Sequence, residues 1–135
     1  MTVKTSILTS GPLSLINMRH DLKDTTFIIP ICIESEDRMR NVITTLCYLL
    51  ENFDTKVILK EVDTESVFQK QCLPQISEYV EDGIENLTHI FEKSDPVDNM
   101  FYRMRYLNEM LNMCETEVVV NYDCDVLLPI NTYLE

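Results

Sequence analysis

The chain has 135 residues, of which 45% are hydrophobic, and this size suits one compact domain with a hydrophobic core of its own. Its 23 acidic residues outnumber 11 basic residues and give a formal charge of -12, which opposes binding to the phosphate backbone of nucleic acids. We therefore expect that the protein does not bind nucleic acid.

The amino-terminal part of the chain, residues 1–24, is predicted to be an irregular lead-in to a single domain over residues 25–135. The apolar stretch at residues 7–16 is interrupted by Gly11 and Pro12. It therefore suits neither a signal peptide nor the ~20 apolar residues of a membrane span, and we expect no membrane-spanning segment.

After the lead-in, apolar and amphipathic segments alternate, which is typical of a wound α/β sheet. Residues 26–32 form an apolar run that predicts a buried first strand. Ser35 is then placed as the N-cap of a first helix, whose apolar residues recur at helical spacing as far as Phe53. Residues 56–62 predict the second strand.

The second half of the domain continues the alternation. A second helix is predicted over residues 66–82, with a break at Pro74 because proline lacks the amide hydrogen that a helix interior requires. A third strand over residues 87–91, a third helix around Met104 and a fourth strand over residues 117–122 follow. Since crossovers between parallel strands are right-handed, we expect a mainly parallel sheet of about four strands in the order 3-2-1-4.

Acidic residues lie at the carboxyl ends of these strands, the edge where wound sheets bind ligands. They are Glu34, Glu61, Asp63, Asp123 and Asp125. In an extended Asp-x-Asp the two side chains point the same way, roughly 7 Å apart, because the side-chain period is two and each residue rises ~3.4 Å. Two such carboxylates suit Mg²⁺ or Mn²⁺, which take further ligands from substrate phosphates. The motif therefore predicts a metal site at Asp123 and Asp125 that binds a nucleoside diphosphate.

The other candidate side chains are arginines, cysteines and histidines. Four arginines lie near the starts of two helices: Arg38, Arg40, Arg103 and Arg105. Arginine binds phosphate through a planar fork of donors, but we expect at least two of the four to lie on solvated helix faces. The five cysteines form no Cys-x-x-Cys pair and are interpreted as reduced thiols, which predicts a cytoplasmic protein. His20 and His89 are expected to be structural or exposed.

Two segments carry a family resemblance. Residues 101–108, Phe-Tyr-Arg-Met-Arg-Tyr-Leu-Asn, resemble the Phe-Asn-Arg-x-x-x-Leu-Asn helix of the galactosyltransferase-like branch of the GT-A glycosyltransferases. Residues 121–129 resemble the strand of that branch that ends in Asp-x-Asp-x-x-x-Pro. The match covers roughly residues 24–129. It implies the nucleotide-binding half of a Rossmann-like GT-A fold.

The resemblance also implies a function. The domain would bind a nucleoside-diphosphate sugar, a UDP-sugar, through Mn²⁺ or Mg²⁺ and serve glycosyl transfer to a saccharide or glycan acceptor. By the same resemblance Phe101 and Arg103 contact the nucleotide, Asp123 contacts the ribose or a metal-bound water, and Asp125 binds the metal directly. Either Glu61 or Asp63 recognises the base or the ribose.

The first strand departs from the pattern of this branch. By resemblance, the uracil pocket is lined there by Pro30, Ile31 and Cys32. The branch has Pro-Phe-Arg-Asn-Arg at this point, whereas the chain has Pro-Ile-Cys-Ile-Glu and ends the segment at Glu34. Arg38 is the candidate to replace the missing arginine, and a role on the helix surface fits it equally well.

The family places its acceptor site and catalytic carboxylate after the Asp-x-Asp motif. Because few residues follow Asp125, we expect a fragment with little activity alone, whose acceptor-side base lies beyond residue 135. We also expect a carboxyl-terminal edge with exposed apolar surface that favours self-association.

Two other functions fit part of the pattern. Haloacid-dehalogenase-like phosphatases also carry Asp-x-Asp after an apolar strand, but they place it on their first strand, and a whole domain follows it. The second alternative is a non-enzymatic α/β binding module, whose acidic edge binds Ca²⁺ or nothing and whose Met-rich helix contacts a partner.

Overall fold

The structure is a computed structural model that describes residues 19–80, 82–95, 97, 100–124 and 126–134. Its centre is a parallel β-sheet. Within these residues the sheet has four strands: β1 (His20–Ile31), β2 (Phe53–Asp63), β3 (Leu87–Lys93) and β4 (Val118–Asn121). Every pairing is parallel and the order is β3-β2-β1-β4. The predicted α/β fold class and strand order are confirmed.

Helical segments connect the strands and follow the last of them. They are α1 (Glu36–Asn52), a π-helical turn (Phe68–Cys72), α2 (Leu73–Tyr79), a 3-10 turn (Ile84–Asn86), α3 (Arg103–Met113) and α4 (Ile130–Leu134). As predicted, the second helical segment changes character near Pro74, which lies in the first turn of α2, where its missing amide hydrogen is not needed. Gly83 turns the chain towards β3 with a φ of 103°, a conformation that favours glycine.

Helix α1 begins where its cap predicts. The side chain of Ser35 accepts a hydrogen bond from the amide of Arg38 at 3.1 Å, and two acidic residues follow in the first turn. Phe53 was expected on the helix face but is instead the first residue of β2, with an extended backbone. Phe53 is fully buried in β2, and because a buried apolar residue at this spacing also suits a helix face, helical spacing alone could not exclude it from the helix.

Strand β1 begins earlier than expected. Residues 20–24, predicted as part of the lead-in, belong to the strand, although the register shifts between Asp21 and Thr26. His20 pairs with Phe53 and is buried, with the two rings 5.9 Å apart. Residues 20–24 lack the alternation of apolar residues that marks a strand, so their sequence resembles that of a loop. They are part of β1 because they lie beside β2. Residues 1–18 of the predicted lead-in lie outside the described residues.

The sheet separates two hydrophobic cores. Since side chains of a strand alternate between faces, Phe27, Ile29 and Ile31 of β1 face the larger core with α1, whereas Ile28 faces a smaller core with Tyr106 and other residues of α3. The chain thus leaves β1 on one side of the sheet and enters β4 from the other, which opens a crevice between the carboxyl ends of these two neighbouring strands.

The segment after β4 folds back onto the larger core. Helix α4, which the sequence did not predict, places the ring of Tyr133 against Phe53 at 5.0 Å. Leu127 and Leu128 of this segment are exposed, and the expected self-association stays a prediction. No helix in the described part of the chain is long and apolar enough to cross a membrane.

Candidate functional site

A cavity of about 620 Å³ opens at the carboxyl ends of the strands. Every residue predicted to contact a nucleotide lines it except Glu61. Those that line it are Pro30, Ile31, Cys32, Glu34, Arg38, Asp63, Phe101, Arg103 and Asp123. Val62, Thr64, Ser94, Met100 and Cys124 complete the lining. The fold thus brings together residues that are up to about ninety positions apart in the sequence, at the crevice that the strand order creates.

Two of the predicted residues contact each other across the cavity rim. Arg103, the first residue of α3, places Nη2 2.9 Å from Oδ1 of Asp123 and donates a hydrogen bond to Oδ1 of Asn121 at 3.0 Å. The side chains of Arg103 and Asp123 are 41% and 56% exposed. An ion pair this exposed contributes at most about 1 kcal/mol to stability. Both groups are therefore accessible to a ligand that pairs with them more strongly.

Asp123 is held at this place by its neighbours in the chain. The amide of Tyr122 donates to the carbonyl of Ile28 at 3.1 Å, which continues the pairing of β1 with β4 beyond the last residue of the strand. Tyr122 and Cys124 are buried, and Asp123 between them is exposed to the cavity. Asp125, the other predicted metal ligand, lies outside the described residues.

The chemistry of the cavity fits a hard divalent cation that arrives with its own oxygen ligands. Among the described residues, no group of three or more His, Cys, Asp or Glu side chains could hold a metal by itself. The carboxylates that line the cavity are those of Glu34, Asp63 and Asp123. Mg²⁺ is usually bound by one or two carboxylates, with water and substrate phosphates as the other ligands. A complete protein cage is therefore not required here.

Cys32 lines the cavity as a neutral thiol. Burial, together with the nearby carboxylates of Asp63 and Glu34, raises its pKa to about 11. The thiol therefore keeps its proton at neutral pH, where a protonated thiol is a poor nucleophile. The other four cysteines are also free thiols, in agreement with the interpretation that all five are reduced.

Glu61, the alternative to Asp63, lies beneath the cavity and not on its wall. Its side chain is fully buried and accepts hydrogen bonds from the hydroxyl of Ser66 and from the amides of Val67 and Phe68, at 2.6, 2.9 and 3.1 Å. Nε2 of His89 lies 3.1 Å from the same carboxylate. Burial acts to raise the pKa of Glu61, but these hydrogen bonds outweigh it and lower the pKa. Glu61 thus anchors the helical segment after β2, and His89 is structural.

The alternation of strand residues could have indicated this role for Glu61. It shares a face of β2 with Val57 and Leu59, which belong to the larger core. Asp63 has the same parity, but it is the last residue of the strand and is only half-buried. Asp63 therefore lines the cavity and Glu61 does not.

An ion network around the buried side chain of Lys60, on the opposite face of β2, was not anticipated. Lys60 lies 2.9 Å from Oε1 of Glu92 and contacts Glu109 of α3. Arg105 pairs with the same two carboxylates at 2.7 and 3.3 Å. The network attaches α3, which carries Arg103, to the sheet. No local pattern marks it, because its members come from three separate elements.

The expectation that at least two arginines lie on solvated helix faces is confirmed. Arg105 belongs to the ion network, and Arg40 pairs with Asp37 on the surface of α1. Arg38 and Arg103 are the arginines that line the cavity.

Compared with known proteins, the chain matches no family model and no curated protein sequence. Its function is therefore inferred from the residues of the cavity.

Proposed function

We propose that this domain is the donor-binding half of a GT-A glycosyltransferase. In this proposal it binds a nucleoside-diphosphate sugar, a UDP-sugar, with Mn²⁺ or Mg²⁺, for glycosyl transfer to a saccharide or glycan acceptor. The observation that carries the proposal is the cavity between β1 and β4. Two arginines and three carboxylates line it at the place where a wound sheet binds its ligand.

The charges of the cavity support a ligand that combines an anion with a cation. Arg38 and Arg103 suit a diphosphate, because the guanidinium group forms paired hydrogen bonds with phosphate oxygens. Asp63 and Asp123 would repel the same diphosphate, and each unit pair of like charges 4 Å apart costs about 4 kcal/mol near a protein surface. A divalent cation reverses the sign of that interaction. The acidic rim of a chain with a formal charge of -12 thus favours metal-dependent binding.

The residues of the chain have distinct tasks in this proposal. Asp123 and Asp125 would hold the metal, which supplies charge neutralisation to the departing diphosphate. Arg103 would exchange its ion pair with Asp123 for the phosphate or the ribose. Phe101, which is 39% exposed and packs its ring edge-on against Tyr106 at 4.9 Å, provides a flat apolar wall for the nucleotide. Asp63 accepts a hydrogen bond from the base or the ribose.

Calorimetry with UDP in the presence and absence of Mn²⁺ tests the proposal. The parent chain is expected to bind UDP only weakly without the metal, and Asp125→Ala is expected to abolish the metal-dependent part while leaving the fold intact. Asp123→Asn is expected to be milder, because an amide can still hydrogen-bond to ribose or to a metal-bound water. The matched control is Asp54→Ala. Asp54 lies near the amino-terminal end of β2, away from the cavity, and pairs with Lys23 at 3.6 Å.

The outcomes separate the alternatives. Equal affinity of the parent and Asp125→Ala for UDP and Mn²⁺ would remove the metal assignment. Binding of metal without any effect of UDP would favour the non-enzymatic binding module. Failure of the parent to bind UDP under either condition would contradict the proposal itself.

A further inference from the structure

The ring of Tyr106 connects the wall of the cavity to the interior of the domain. Tyr106 lies one turn into α3, is 1% exposed and belongs to the smaller core. The ring of Phe101, which lines the cavity, packs edge-on against it, with the centroids 4.9 Å apart and the two planes at 70°. Phe101 precedes α3 and belongs to no helix or strand, so the hydrogen bonds of a regular element do not fix it. The contact with Tyr106 therefore supports its ring from the core side.

Two cations hold the ring of Tyr106 in turn. Nζ of Lys60 lies 5.2 Å from the centre of the ring, and the guanidinium carbon of Arg105 lies 4.8 Å from it. The face of an aromatic ring attracts a cation within about 6 Å of its centre. Both cations are themselves paired with the carboxylates of Glu92 and Glu109. Because Lys60 belongs to β2 and Arg105 to α3, the ring is fixed relative to the sheet as well as to its own helix.

Apolar packing alone does not require an aromatic ring at position 106. The other buried members of the smaller core are all aliphatic: Ile28, Ile58, Val62, Leu107 and Met110. A core of this kind accepts a leucine in place of a larger apolar side chain after some repacking. A leucine, however, has no negative face for a cation and no flat surface for the edge of a second ring. The contacts with the two cations and with Phe101 therefore depend on the ring itself.

We infer that Tyr106 is a positioning residue for the part of the cavity that contacts the nucleoside. Its ring, held by Lys60 and Arg105, keeps the ring of Phe101 at the cavity wall. A flat apolar ring suits the base or the ribose of a nucleotide, whereas it offers nothing to the charged diphosphate. This inference rests on the proposed function, in which Phe101 contacts the nucleotide. Tyr106 should therefore affect the affinity for a nucleotide and leave the affinity for a bare diphosphate unchanged.

Calorimetry with two probes, UDP and inorganic pyrophosphate, each in the presence of Mn²⁺, separates positioning from general support of the cavity. Pyrophosphate has the phosphate groups of UDP without the nucleoside. Phe101→Ala is expected to weaken UDP binding about tenfold, the usual effect of removing an aromatic ring from a base, and to leave pyrophosphate binding within about twofold of the parent. Tyr106→Leu is expected to resemble Phe101→Ala with both probes. Tyr106→Phe keeps the ring and is expected to bind both probes like the parent.

Met110→Ala is the matched control for lost packing. Met110 is fully buried in the same core, lies one turn further along α3 and does not line the cavity. Like Tyr106→Leu it should lower Tm, but its affinity for UDP should equal that of the parent. Phe101→Ala combined with Tyr106→Leu should bind UDP no more weakly than Phe101→Ala alone, because Tyr106 has no ring left to position. Two independent losses would instead multiply to about a hundredfold.

The results distinguish this inference from the proposed function. If the parent binds UDP with Mn²⁺ but Tyr106→Leu binds UDP as tightly, or loses UDP and pyrophosphate equally, the positioning role is excluded and the proposed function stands. If Tyr106→Leu does not fold, Arg105→Gln decides, since it removes one of the two cations at an exposed side chain. It should weaken UDP more than pyrophosphate, and an equal change for both probes would exclude the role. If the parent does not bind UDP with Mn²⁺, both proposals fail.

Discussion

Replacing Glu61 with glutamine separates an anchoring role from a role in ligand recognition. The substitution keeps the size of the side chain and removes its charge. Ser66 and His89 can exchange donor and acceptor roles to suit an amide, but the backbone amides of Val67 and Phe68 can only donate. Those two hydrogen bonds therefore remain, but they change from charge-assisted to neutral.

The expected loss of stability follows from those two bonds. A hydrogen bond to a charged group contributes about 1.5–3 kcal/mol and a neutral one about 0.5–1.5, so each loses about 1 kcal/mol. Because Glu61 is fully buried, solvent does not screen this difference. Glu61→Gln should therefore lower the free energy of unfolding by about 2 kcal/mol at pH 7. For a chain of this size that corresponds to a decrease of roughly 7 °C in Tm.

The loss should also depend on pH. The folded state lowers the pKa of Glu61 below its ordinary value of 4.5, so the charged carboxylate stabilises the protein above that value. This contribution disappears as the pH falls through the lower pKa of the folded state, where the parent becomes neutral like the variant. The difference in stability between parent and Glu61→Gln should therefore be complete at pH 7 and shrink below about pH 4.5.

Urea unfolding followed by far-ultraviolet circular dichroism measures this difference, with calorimetry of UDP binding on the same samples. The control is Asp63→Asn, which removes a charge from the same strand at the cavity wall. In the presence of Mn²⁺, Asp63→Asn should weaken UDP binding and change stability little, whereas Glu61→Gln should lower stability and leave UDP binding unchanged. A Glu61→Gln variant as stable as the parent but tenfold weaker for UDP would refute the anchoring role.

Two further predictions concern the cavity. Arg103→Gln should weaken UDP binding about tenfold with or without Mn²⁺, because one charge-assisted hydrogen bond is lost. Calorimetry checks this, and an equal loss in Arg40→Gln, on the surface of α1 and outside the cavity, would indicate a general effect of charge. Because the pKa of Cys32 is about 11 against an ordinary 9.0, its alkylation by iodoacetamide at pH 8 should be about tenfold slower than that of an unperturbed cysteine, since the smaller thiolate fraction outweighs the higher reactivity of the more basic thiolate. Mass spectrometry of the Cys32 peptide gives the rate of alkylation. A rate equal to that of an unperturbed cysteine would contradict the raised pKa of Cys32.

Much of the fold could be predicted because it depends on local patterns. Alternating apolar and amphipathic segments are enough to indicate four strands, and the handedness of crossovers then orders them. Ser35 could be recognised as an N-cap because capping involves a neighbour only three residues away. The residues of the cavity could be anticipated for a similar reason. Residues at the carboxyl ends of parallel strands meet at one edge, whatever their distance in the sequence.

The tertiary structure decided which of the acidic side chains at that edge lines the cavity and which one the core encloses. Glu61 and Asp63 are two residues apart and chemically alike, yet the amides of the following turn enclose one of them and leave the other on the cavity wall. Likewise, nothing in the sequence of the amphipathic helix α1 indicates that the hydroxyl of Thr45 donates a hydrogen bond to the carbonyl of Cys124. Such partners lie tens of residues apart, and their contact exists only after the sheet and helices have packed. Composition and spacing therefore indicate where the site lies, and packing determines what holds it in place.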